Sequence, residues 1–300
     1  MKQFTATFTA SGWLRRGWAF LRVVRPVNVV MIMAGVALGG VLSGSVGALQ
    51  GVAGERLLRA ALSAALIGGA ANSLNDVLDL DIDRINRPAR PLPSGLVSVM
   101  TARLLWGVGT LFGVALGASV STTHLALALG AVGLLVVYNV FLKRVLLVGN
   151  LVVAFVIGLA IVYGGWAVGP PAPALVGAGF AFLTMLAREI IKDVEDVEGD
   201  ATAGARTLPL VYGTSVAVYT TVGVLFVTLL LTPLPFFLLH YRGLYLLLML
   251  AAAALLLYVV WIFLGPRPEA RARQASHLLK AAMAAGMAAL AFGAIVQLGD

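Results

Sequence analysis

Apolar runs of about twenty residues recur along the whole of this chain, the length a helix needs to cross the ~30 Å hydrocarbon core of a bilayer. Nine are read, at roughly 27–46, 56–78, 99–119, 122–141, 145–167, 173–194, 210–237, 243–264 and 277–297. In lipid every backbone N–H and C=O needs a partner from the protein itself, which makes helices the solution for single apolar spans. A chain with 60% hydrophobic and 11% charged residues and a mean hydropathy of +0.98 is no ordinary soluble domain, for which about 25% charged is usual. The breaks carry Gly, Pro or charge, and no large extramembrane domain fits between them. The expected fold is all-α. It is a polytopic membrane protein of nine transmembrane helices in a bundle, a single domain over 1–300, with cytoplasmic cap loops after helices 2 and 6. Residues 1–25 read as a cytoplasmic, partly interfacial lead-in, with Trp13 and Trp18 near the headgroups.

The net charge of +8 follows from topology rather than from nucleic acid. With the N-terminus in the cytoplasm, that side receives Lys2, Arg15, Arg16, Arg22, Arg25, Arg84, Arg87, Arg90, Lys143, Arg144, Lys192, Arg206, Arg267, Arg271 and Arg273. The opposite side receives Arg56, Arg59 and Arg242. That bias obeys the positive-inside rule for an odd number of spans in a cell membrane. The absence of cysteine excludes disulfides, thiolate metal sites and cysteine nucleophiles.

Ten of the thirteen acidic residues sit in two short clusters, each at the end of an apolar run. One spans Asn72 to Asp83 and the other Glu189 to Asp200. At an offset of 117 residues they align, pairing Asn72 with Glu189, Asp76 with Asp193, Asp79 with Asp196 and Asp83 with Asp200. The match continues into Arg90-Pro91-Leu92-Pro93 and Arg206-Thr207-Leu208-Pro209, which reads as an internal repeat covering 72–95 and 189–213. Repeated halves with a polar site at their interface are a common membrane-protein plan.

Steps of four, three and four keep positions 72, 76, 79 and 83, and likewise 189, 193, 196 and 200, on one helical face. Asp81, Glu195 and Glu198 fall off it and read as solvated charges. Two facing carboxylate stripes repel each other, so something positive belongs between them. Oxygen donors without His or Cys point to a hard cation, Mg²⁺ above all, which commonly bridges carboxylates and substrate phosphates. A cation or proton pathway is the rival reading. Arg22, Arg25, Arg90, Lys143, Lys192 and Arg206 surround the acidic mouth and favour a diphosphate, whose charge grows as its bond breaks.

These residues resemble the UbiA superfamily of intramembrane prenyltransferases. Asn75-Asp76-x-x-Asp79-x-x-x-Asp83 is similar to its first motif, Asp193-x-x-Asp196-x-x-x-Asp200 to its second, and Tyr138 with Lys143 to its Tyr/Lys motif. Within the superfamily, Arg25-Pro-Val-Asn28, Arg188 to Asp200, and Gly149-Asn150 most resemble the geranylgeranylglyceryl phosphate geranylgeranyltransferases. Those enzymes attach a second prenyl chain to a glycerol phosphate lipid precursor. The resemblance implies Asn75, Asp79 and Asp83 around one Mg²⁺, with Asp76 close by, and Asp193, Asp196 and Asp200 around a second. It implies Lys143, Arg90 and Arg206 on the diphosphate, and Tyr138 beside the allylic carbon, its π-face stabilising positive charge. Arg22 and Arg25 are candidates for the acceptor phosphate; Asn28, Asn72, Asn150 and Lys192 are further candidates for substrate contact.

The implied partners are therefore a prenyl diphosphate donor, a lipophilic acceptor and the bilayer. An aromatic acceptor such as 4-hydroxybenzoate or a naphthoate is the alternative within the family, and transport of an ion or organic anion the alternative outside it. The loops 84–98 and 201–209 are candidate lids that exclude water. His124, His240 and His277 read as packing or interfacial residues, and the pairs Gly39-Gly40, Gly68-Gly69 and Gly164-Gly165 as close helix packing. Arg267, Arg271 and Arg273 read as anchors at anionic headgroups.

Overall fold

The structure, a computed structural model, describes residues 10–44, 50–143, 145–202 and 204–297; Lys2 and Arg144, and the side chains of Trp13, Arg15 and Arg16, lie outside the described residues. Every regular element there is helical, in the order α1 (Ala10–Val24), α2 (Pro26–Gly44), α3 (Gly51–Leu78), α4 (Leu80–Asn86), α5 (Val99–Val120), α6 (Thr122–Val137), α7 (Val148–Val168), α8 (Ala172–Glu195), α9 (Val197–Thr202), α10 (Leu208–Tyr212), α11 (Thr214–Leu231), α12 (Leu234–Leu238), α13 (Gly243–Leu264) and α14 (Pro268–Gln297). Among the described residues nine helices are long and apolar enough to cross a membrane; one joins α6 to the π-helical turn Tyr138–Leu142, and another joins α11 to α12. These are the nine apolar runs, with two starts displaced. α3 begins at Gly51 because Glu55 and Arg59 pair across one turn, and α14 begins at Pro268.

Local chemistry sets the ends. Ser98 and Ser121 cap α5 and α6 by accepting the N–H of Thr101 and His124. α2 and α14 both open on Pro, whose fixed φ suits the first helical position. Proline disfavours the right-handed helical region for the residue before it, and Arg25 and Arg267 both adopt φ 56°.

The bundle closes by small residues letting backbones meet. α2 and α7 run side by side, and a Cβ on Gly39 would lie 2.8 Å from the Ile161 carbonyl carbon and 2.9 Å from Gly165 N. One on Gly164 would strike the Val36 backbone, one on Gly40 the Leu57 side chain, and one on Gly68 Ile32. With no water to drive association, such close approach is how helices gain packing in lipid. α3 packs on α5, α7 on α8, and α13 on α14. His124 is fully buried between Ser121 Oγ (2.7 Å) and the Tyr163 carbonyl (3.1 Å), a packing residue as the sequence suggests.

The described part of the lead-in is the helix α1, with Ala19 and Val23 inward and Trp18 outward, and it packs on α3. Leu92 and Val97 are buried with Ala19, Val23 and Ala102, and Leu208 and Pro209 are buried as well, so both loops after the acidic motifs are anchored on the bundle.

Candidate active site

α3 and α8 each break at the third member of their acidic motif. Asp79 ends α3 at φ −93°, ψ 4°, and Asp196 ends α8 at φ −99°, ψ 10°. Hydrogen bonds from Asp83 N to Asp79 O and from Asp200 N to Asp196 O (2.8 and 2.9 Å) carry the chain into α4 and α9. Each motif therefore spans a kinked helix, where the sequence suggested one continuous face. The two kinks meet at one end of a cavity of about 690 Å³ that reaches into the bundle between α2, α3, α7, α8, α13 and α14. Asn75, Asp79 and Asp83 line it from one motif, and Asp193, Asp196 and Asp200 from the other. Deeper in, its walls are apolar, among them Leu38, Ile161, Phe180 and Leu290.

Among the described residues no group of three or more carboxylate or imidazole side chains closes into a metal-sized cluster. Basic side chains stand between the carboxylates. Lys143 Nζ donates to Asn75 Oδ1 (3.0 Å) and to Asp79 Oδ2. Arg90 holds Asp83 at 2.5 Å, and Arg25 holds the buried Asp76 at 2.6 Å. Arg87 donates to both oxygens of Asp196 at 2.7 Å, tying the first motif's segment to the second motif. Asn150 donates to Asp193 at 2.8 Å. Asp200 has no hydrogen-bond or ion-pair partner for its side chain among the described residues, and burial, then Asp196, pushes its carboxyl up to about 6. Burial also lowers the Lys143 pKa, against the pull of Asp79.

Most of the side chains singled out in the sequence converge here, including Tyr138, Asn28, Asn72, Arg90, Asn150 and Lys192. Asn72 also donates to the Val24 carbonyl at 3.0 Å, fixing α1. Three do not line the cavity. Asp76 lies behind it under Arg25 and Arg90; Arg22 is exposed and reaches only the Ala89 carbonyl, at 3.5 Å; Arg206 is exposed. Of the off-face acids, Asp81 pairs with Arg84 on the surface and Glu198 is exposed. Glu195 departs from expectation: it is largely covered and accepts Arg273 Nε at 3.0 Å, which ties α8 to α14. Arg273 thus makes a tertiary contact through Nε while most of its side chain stays exposed, and Arg271 donates back to the Ile262 carbonyl.

Arg87, Arg188 and Lys280 line the cavity and were not singled out for it. Arg87 was read as a topology determinant. Arg188 and Lys280 carried a usable signal, an ionisable side chain inside an apolar run.

Comparison with known proteins agrees with this geometry. A digeranylgeranylglyceryl phosphate synthase of Methanopyrus kandleri is 38% identical over 244 residues, 80% of this chain and 86% of that protein. A solved structure described as digeranylgeranylglyceryl phosphate synthase superposes with a TM-score of 0.75 at 27% identity, covering 94% of this chain and 99% of that one. A UbiA homologue from Archaeoglobus fulgidus bound to GPP and Mg²⁺ shares the fold, with a TM-score of 0.65 at 21% identity over 91% of this chain and 99% of its own. Residues 28–294 match the UbiA prenyltransferase family, and the chain belongs to it.

Proposed function

We propose that this protein transfers a geranylgeranyl group from its diphosphate to geranylgeranylglyceryl phosphate, with Mg²⁺, as a step in making membrane ether lipids. The observation that carries the reading is the convergence of two acidic kinks and several cations at the mouth of a cavity with apolar walls. A charged headgroup and a hydrocarbon chain each find their solvent in it. Two of the relatives named above are called synthases of digeranylgeranylglyceryl phosphate, the product of this transfer, and the UbiA homologue carries GPP and Mg²⁺.

The donor atoms fit a hard cation. They are all oxygens, and the Asp200 carboxylate lies in the cavity wall without a partner. Asn75, Asp79 and Asp83 would hold one ion and Asp193, Asp196 and Asp200 another. Bound there, Mg²⁺ supplies charge neutralisation to the departing diphosphate. The protein's own part is to position and enclose. Lys143, Arg87 and Arg90 present cations to the diphosphate oxygens, while the deep apolar wall takes the prenyl tail. Arg206, outside the cavity, has no part in this reading. Tyr138 lies within electrostatic reach of Asp79, Asp193 and Glu189, where its ring faces charge developing on the allylic carbon. The carbon–oxygen bond to diphosphate breaks, the acceptor hydroxyl supplies the electrons for the new ether bond, and its proton passes to the departing diphosphate. The anchored loops keep water from competing with that hydroxyl. The cavity mouth and the N-terminus face the cytoplasm, on the side where most Lys and Arg residues fall.

Product analysis tests this. Purified protein in liposomes receives geranylgeranyl diphosphate, Mg²⁺, and a mixture of geranylgeranylglyceryl phosphate and 4-hydroxybenzoate, with and without EDTA. An EDTA-sensitive ether lipid with two prenyl chains is expected. A prenylated aromatic would replace the acceptor assignment, and product formed equally in EDTA would remove the metal.

A further inference from the structure

Not all the charge in the cavity belongs to the aspartate motifs. Arg188 and Lys192 lie one turn apart on α8, Lys280 lies on α14, and all three line the same cavity. Arg188 precedes Asp193 by five residues, roughly 7.5 Å of helix rise, which sets Arg188 deeper in the membrane than Asp193, with Lys192 between them. Glu189 sits among the cations and accepts Arg188 Nη1 and Lys192 Nζ, both at 2.9 Å. Lys280 lies within electrostatic range of Arg188, Lys192, Arg25 and Glu189. Glu189 is shared between Arg188 and Lys192, and Asp193 also lies within reach of Lys192, while Lys280 has no carboxylate paired to it among the described residues.

Two donors there are unused. The Arg188 Nε–H is buried with no acceptor, and Lys280 makes no hydrogen bond or ion pair among the described residues. A buried donor without an acceptor costs about 1–3 kcal/mol, and a charge at bilayer depth marks a functional site by default. Packing gives no account of either group. An anion in the cavity would satisfy both.

We propose that Arg188, Lys192 and Lys280 form a second anion subsite, which holds the phosphate of the acceptor while the diphosphate occupies the aspartate end. The assignment of the anion to the acceptor rests on the glycerol phosphate reading above. A phosphate monoester carries a charge of about −1.5 to −2 at neutral pH and three strong acceptor oxygens, enough to accept from the Arg188 Nε–H and the Lys280 ammonium together. Of the arginines suggested by sequence, Arg22 is exposed at the surface, and Arg25 lines the same cavity while paired to Asp76. A phosphate held on α8 and α14 fixes where the glycerol hydroxyl points, and selects for acceptors that carry a phosphate.

The test varies each substrate separately with full-length protein in liposomes. Lys280→Met raises the KM for geranylgeranylglyceryl phosphate roughly 10- to 100-fold, leaves the KM for geranylgeranyl diphosphate unchanged, and narrows the preference over unphosphorylated geranylgeranylglycerol. Lys280→Arg retains acceptor binding. An unchanged acceptor KM, or a rise confined to the donor, overturns the proposal. A binding measurement in EDTA separates it from the acceptor assignment. Glycerol phosphate and inorganic phosphate protect the wild-type protein from thermal unfolding and fail to protect Lys280→Met. No protection of the wild type overturns the subsite; protection without turnover of geranylgeranylglyceryl phosphate keeps the subsite and overturns the acceptor.

Discussion

Gly39→Ala tests how the bundle positions its site. An added Cβ would sit 2.8 Å from the Ile161 carbonyl carbon and 2.9 Å from Gly165 N, against a comfortable carbon–carbon separation of about 3.5–4.0 Å. Both neighbours are backbone, so no side chain can swing away and α2 and α7 must part by about 1 Å. Overpacking of this kind costs about 1–3 kcal/mol. Replacing a helical Gly by Ala returns about 0.5–1 kcal/mol of backbone entropy, which leaves a net loss of up to about 2.5 kcal/mol. Gly130→Ala on α6 is the control, because nothing lies within 4 Å of its Cβ position and it keeps only the gain. Activity should fall further than stability. α2 carries Asn28 and follows directly on Arg25, and α7 carries Asn150, all in the cavity wall, and a 1 Å misplacement can cost about 100-fold in rate. Denaturant titration of both variants in detergent, with turnover measured in liposomes, decides it. A Gly39→Ala protein as stable and as active as Gly130→Ala would refute the close backbone contact.

The double substitution Asp79→Asn/Asp196→Asn keeps side-chain shape and removes two charges. Turnover should drop about a thousandfold or more while the elution profile stays that of folded protein; activity retained in folded protein would remove the two-motif clamp. The carboxyl of Asp200 is raised to about 6 in the folded protein, above its unfolded value of about 3.9. The folded state then holds the proton more tightly, so this group's contribution to stability is complete below about pH 4 and is lost as pH rises through about 6. In EDTA, Asp200→Asn should therefore match the wild type near pH 4 and become progressively more stable relative to it up to about pH 7. The opposite slope in thermal midpoints would show that Asp200 is paired in the folded state.

The spans were legible because a bilayer admits few backbone solutions, and among the described residues nine apolar runs became nine long apolar helices. Their ends were less so. Arg59 in α3 and Arg273 in α14 sit within helices that continue past the apolar run, held by Glu55 and Glu195, and hydropathy sees only the charge. The acidic motifs were visible through duplication, yet period alone could not show the kinks at Asp79 and Asp196. The cations were the least legible part. Arg22 and Arg206 have the composition of a phosphate site and lie outside the cavity, whereas Arg87 reaches across to Asp196 through a fold-dependent contact between residues 109 apart. Lys280 was hidden in an Ala-rich helix whose facing partners come from distant sequence.

Arg25 adopts φ 56°, a left-handed conformation that carries a steric penalty for any residue with a Cβ. Asn or Gly at this position would relax the backbone. Either would also take from Asp76, a carboxylate shut away from solvent, the nearer of its two guanidinium partners and leave Arg90 at 3.7 Å. Breaking a buried ion pair costs about 3–5 kcal/mol, more than the ~1–2 kcal/mol that a left-handed residue stores. The strained conformation is therefore held by the ion pair it makes, and a more relaxed chain here would be a less stable protein.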